Sequence, residues 1–158
     1  MKAVSVKYLK SELVHRDAKE LVNLCLRLAN FKKENKELLT YLLFEAENEE
    51  SFVNTVKEDI NLQFSNVNNK NYYFQRKSIR KILKSVKKFI RYSKVKETEI
   101  ELLIHFCREM KNHKPSVIRH LAMNNLYYRQ IDMLKKRIAS LHEDLQYEYN
   151  LELEKLIV

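Results

Sequence analysis

The chain contains no glycine, where an ordinary share of about 7% would place roughly eleven in 158 residues. Glycine supplies positive φ and lets a backbone approach a ligand closely. Its absence argues against phosphate-cradling loops, dinucleotide-binding turns and nucleophile elbows, and so against the standard nucleotide-dependent enzymes. Primed hairpin turns lose their usual residue as well. With one proline, no tryptophan and no repeating apolar alternation, the default is helix throughout.

Cysteine is scarce too. Cys25 and Cys107 lie far apart and outside any C-x-x-C spacing, which fits a reducing compartment and two small buried hydrophobes rather than a disulfide framework. Long apolar runs are missing. The longest, Leu38 to Phe44 with Thr40 inside it, falls far short of the roughly 20 residues a membrane span requires, and the first residues lack a signal-peptide core. The expectation is a cytoplasmic protein.

What is present is apolar and charged in quantity: 45% hydrophobic and 32% charged residues, enough to fold and too few in number for a second independent core. The expected fold is all-α, about six to seven helices over a single domain, 1–158. Stacked antiparallel helical hairpins, α-solenoid-like, are the first reading, and an irregular helical bundle is the alternative. Glu20, Leu21 and Arg27 recur as Glu101, Leu102 and Arg108 at one offset, a faint echo in favour of repeats.

Asp17 and Glu20 have capping-box spacing, and the apolar run 18–30 reads as an interior helix ended by a left-handed Asn30 with Phe31 folded back. A second apolar helix comes next, and the two are expected to form a central hairpin. Asn48 opens a helix with Phe52, Val53, Val56, Ile60 and Phe64 along one face. Residues 66–71 read as loop, then helices run from about Tyr72 to Tyr92 and Glu97 to Asn112. Lys114-Pro115-Ser116 breaks the chain, with Ser116 placed to cap the next helix. Past it, Val117, Ile118, Leu121 and Ala122 form one stripe. Tyr127, Ile131, Leu134, Ile138, Leu141 and Leu145 form another at coiled-coil spacing, a candidate seam for self-association as a homodimer. That phase change implies either a break near Met123–Asn125 or one long helix that changes partners.

Charge is segregated. No acidic residue lies between Asp59 and Glu97, an interval holding eleven cations against a net charge of +9 for the whole chain. On a helix, Ile79, Ile82, Leu83, Val86, Phe89 and Ile90 take one side. Arg76, Lys77, Arg80, Lys81, Lys84, Lys87, Lys88 and Arg91 take the other, along about 23 Å. A solvated face would look similar, but such faces ordinarily mix signs. An unmixed face calls for an anion: the chain's own carboxylates, an acidic partner protein, or a nucleic-acid backbone with Tyr72, Tyr73 and Tyr92 to stack on bases. A membrane surface is disfavoured, because the apolar side would have to leave the core.

No catalytic, cofactor or metal site is expected. Glu12 and His15 form a single E-x-x-H where helical di-metal sites use two. Glu101, His105 and Glu109 share a helix face, read as exposed ion pairing. Arg119 and His120 sit where a winged helix-turn-helix reads the groove, but helix-forming sequence occupies the place where the wing belongs. The expected function is a non-enzymatic protein-interaction module, with nucleic-acid binding through segment 70–96 as the alternative.

Overall fold

A computed structural model describes residues 1–157, and they are all-α, with no strand among them. Eight α-helices succeed one another: α1 Val6–Leu13, α2 Ala18–Phe31, α3 Lys33–Thr40, α4 Glu49–Ser65, α5 Tyr72–Ser93, α6 Lys96–Asn112, α7 Leu121–Ile138 and α8 Glu143–Ile157. A π-helical turn, Tyr41–Glu45, separates α3 from α4. The count exceeds the expected six to seven because the C-terminal segment is two helices and a short N-terminal one precedes Asp17. Contacts divide the chain into two compact units, Met1–Phe44 and Glu45–Val158.

The N-terminal unit holds α1 to α3. Asp17 caps α2 as its spacing predicts: its carboxylate accepts from the Glu20 amide at 2.7 Å, and Glu20 accepts in return from the Asp17 amide at 3.2 Å. The other end differs from expectation. Asn30 stays helical, α2 runs through Phe31, and an extended Lys32 (φ −144°) turns the chain into α3, where Asn35 Nδ2 donates to the Leu28 carbonyl at 2.8 Å. Of its apolar residues only Ala29 and Tyr41 are buried, while Leu26, Leu28 and Phe31 are exposed. Helix α2 is therefore not the interior helix its composition suggests, and Cys25 is exposed rather than buried.

The core lies in the C-terminal unit. Helix α6 contacts α4, α5, α7 and α8, and it buries Ile100, Leu102, Leu103, Phe106, Cys107 and Met110 completely. Asn48 caps α4 by accepting from the Ser51 amide at 3.1 Å, and all five expected positions from Phe52 to Phe64 are buried. Lys57 meets Glu101 at 2.6 Å and Asn61 meets His105 at 2.6 Å. Arg108 meets Glu152 at 2.6 Å, and Lys111 donates to the Lys155 carbonyl at 3.0 Å. Each pair is 44 residues apart. A constant difference in number, rather than a constant sum, means that α4, α6 and α8 run parallel. The 81-residue echo is a different interval.

After α6, a turn at 117–120 that buries Val117 replaces the expected helix start, and α7 begins without a side-chain cap, so Ser116 caps nothing. A second break at 139–142 lies well past the expected one at Met123–Asn125. Lys94 ends α5 in the left-handed region (φ 60°), its amide reaching the Ile90 carbonyl at 3.0 Å. In a chain without glycine, a lysine bears the Cβ penalty of that cap, about 1–2 kcal/mol.

Two outcomes are expected for urea unfolding monitored by circular dichroism. Phe106→Ala costs about 3–5 kcal/mol, whereas Leu26→Ala, on an exposed helix face, changes stability by less than about 0.5 kcal/mol. Lys94→Gly stabilises by up to about 1 kcal/mol, the Cβ relief of about 1–2 kcal/mol less the roughly 0.4–1 kcal/mol that glycine's freedom in the unfolded chain costs; a destabilised glycine variant would refute the strain there.

Candidate interaction surfaces

Helix α5 carries its charge where the sequence puts it. Ile79, Ile82, Leu83 and Val86 are buried, Phe89 and Ile90 half-buried. On the other side Lys77, Arg80, Lys81, Lys84 and Arg91 are exposed, and Arg76, Lys87 and Lys88 half-buried. Among the described residues, no carboxylate forms an ion pair with Arg76, Lys77, Arg80, Lys81, Lys84, Lys87 or Arg91. Like charges four residues apart, such as Arg76–Arg80–Lys84 and Lys87–Arg91, oppose the helix by a few tenths of a kcal/mol each. The first turn carries no acid to offset the positive helix end.

Aromatic rings collect at the N-terminal end of this face. Tyr72 stacks on His120 with ring centroids 3.6 Å apart, which ties the 113–120 connection to α5. The Arg76 guanidinium lies 5.8 Å from the centroids of both Tyr72 and Tyr73. Below them, Gln75 is buried and donates to Asn69 Oδ1 at 2.9 Å and the Pro115 carbonyl at 3.2 Å. Tyr73 is exposed, but Tyr92, the third tyrosine assigned to base stacking, is buried. His120 is occupied by its stack, and Arg119 lies in a turn rather than on a groove-reading helix.

The stripe assigned to self-association is spent internally. Tyr127, Ile131, Leu134 and Ile138 are at most 2% exposed, and the Tyr127 hydroxyl donates to the Leu156 carbonyl at 2.9 Å. Leu141 and Leu145 are half-buried beyond the break, on the turn and on α8. The four residues from Tyr127 to Ile138 therefore keep almost no exposed surface, whereas Leu141 and Leu145 keep part of theirs.

The parallel α4, α6 and α8 bring together a polar cluster that no local spacing announces. Lys57, Glu101, His105, Arg108, Tyr149 and Glu152 surround a cavity of about 210 Å³. Its charges are matched: Glu101 serves Lys57 and Tyr149, and Glu152 serves Arg108 and Lys155. His105 donates Nε2–H to Asn61. Burial first, then the Lys57 ammonium and the Arg108 guanidinium, hold its imidazole below the ordinary value of 6.5. Burial pushes the Cys107 thiol up to about 12, which makes it a poor nucleophile. Among the described residues, no group of three or more His, Cys, Asp or Glu is arranged to hold a metal ion, and no helix is long and apolar enough to cross a membrane.

A surface that sequence reasoning missed lies in the N-terminal unit, where α1 and α2 flank an open groove of about 860 Å³ walled by Leu9, Leu13, Leu24, Leu28 and Phe31. The all-round apolar pattern of α2 was its signal, but the same pattern also describes a buried helix. Compared with protein-family models, curated proteins and solved structures, the chain matches none.

The histidine environment gives a signed pH dependence. Folding depresses the His105 value, and burial does the same for His113, so the unfolded chain takes up protons first on acidification. This contribution is fully present above pH 6.5 and is lost as pH falls below it. Urea midpoints at pH 7.5 and pH 5.5 are expected to lie closer together in His105→Gln than in the parent chain; an unchanged gap would contradict it.

Proposed function

We propose that the chain is a non-enzymatic helical interaction module, cytoplasmic, that docks an acidic partner protein along the cationic face of α5. The observation that carries this reading is the set of cations from Arg76 to Arg91, one sign over about 23 Å, of which seven have no carboxylate partner among the described residues. An anionic surface would relieve the repulsion along α5 and steer association. Two free thiols, Cys25 and Cys107, suit a reducing compartment. The 44-residue register of α4, α6 and α8 favours an α-solenoid-like stack of helical hairpins over an irregular bundle, and such stacks serve as binding platforms. Burial of Cys107, which pushes its thiol up to about 12, favours binding over thiol catalysis.

A second reading, nucleic-acid binding by segment 70–96, draws on the exposed Tyr73 beside Arg76. Fluorescence anisotropy with a labelled poly-glutamate peptide, single-stranded RNA and duplex DNA separates the two. The acidic peptide is expected to bind, with at least about tenfold weaker affinity when Arg80, Lys84, Lys87 and Arg91 are all changed to alanine. Peptide binding indifferent to those changes would overturn the reading. Preference for nucleic acid, with a salt slope of about 0.9 per neutralised phosphate on DNA, would establish the second one instead.

A further inference from the structure

The N-terminal unit, Met1–Phe44, has very little core of its own: only Ala29 and Tyr41 are buried among its apolar residues. Units near 40 residues are marginal alone and are commonly completed by oligomerisation. Its exposed apolar surface is continuous rather than scattered, for Leu24, Leu28 and Phe31 are 41%, 62% and 77% exposed along one side of α2 and line the groove beside α1. A patch of that kind marks an interaction site.

The charges on this groove identify its occupant. Glu12 and Glu20 face Arg16 and Arg27 around it, so the rim has no net sign and favours neither a strongly acidic nor a strongly basic partner. Arg16 reaches Glu20 only at 3.5 Å with both side chains about half exposed, so Glu20 can still take a second cation, and Arg27 forms no ion pair among the described residues. On α2, Glu20 and Arg27 stand two turns apart on either side of Leu24, about 10 Å along the axis. When two copies of α2 pack antiparallel about a two-fold axis beside Leu24, each Glu20 meets Arg27 of the other copy. Parallel packing would set like charges together. A two-fold interface requires this reciprocity, residue i against j and j against i.

The geometry points to a homodimer in which α2 lies antiparallel on α2 of a second copy, covering Leu24, Leu28 and Phe31 and pairing Glu20 with Arg27 across the axis. None of these residues belongs to α5.

The test uses the full chain at micromolar concentration, with size-exclusion chromatography coupled to light scattering. The expected mass is twice the 19.1 kDa of one chain. Arg27→Glu alone and Glu20→Lys alone each set like charges across both ends of the interface and weaken the dimer at least about tenfold. An equimolar mixture of the two variants restores it, because Glu20 then meets Arg27 at one end and the introduced lysine and glutamate meet at the other. Recovery on mixing also shows that neither variant has failed to fold. A parent chain of 19.1 kDa, a dimer unmoved by either substitution, or variants that stay apart when mixed would each overturn the inference.

Discussion

The burial of α6 is the constraint on which the C-terminal unit depends. Ile100, Leu102, Leu103, Phe106, Cys107 and Met110 of α6 are fully buried along a broad apolar arc, and the helix is stable only with neighbours along that arc. Helices α4, α5, α7 and α8 supply them. Once they surround α6, each spends its own apolar stripe inward, which consumes Val56 and Ile60 on α4, Ile79 and Val86 on α5, and Ile131 and Leu134 on α7. Their outer faces are then set by the residues that remain. On α5 every charged residue in that remainder is a cation.

Polar contacts obey the same geometry. Parallel α4, α6 and α8 hold side chains 44 residues apart within reach, so Lys57–Glu101 and Arg108–Glu152 form between helices rather than along one. These pairs are partly solvated and contribute modestly to stability. Glu101 and Glu152, engaged at 2.6 Å, are not available to the cations of α5, and the segregation written into residues 70–96 survives folding.

Much of this was legible in the sequence. The face from Phe52 to Phe64, the loop at 66–71, the bounds of α5 and α6 and the Asp17 capping box come from local rules, because each depends on residues within a turn or two. The misleading features were ambiguous locally. The apolar residues of α2 and those of α6 carry no local mark of which set will be covered, yet among the described residues α6 has four helices packed on it. Likewise the coiled-coil spacing of Tyr127 to Ile138 records burial without naming the partner, and its partners are within the chain. The Lys57, His105 and Arg108 cluster had no local signal, since it arises from a register between helices and from no spacing within one. The left-handed cap could be foreseen in kind but not in place: asparagine was the natural substitute for glycine, and Lys94 takes the position.

Residue-resolved amide hydrogen exchange tests the central position of α6 most directly. With four helices packed on α6, the amides from Leu102 to Cys107 should exchange last in the C-terminal unit, at the rate set by its complete unfolding. Exchange of these amides ahead of those in α5 or α7 would contradict the central position assigned to this helix.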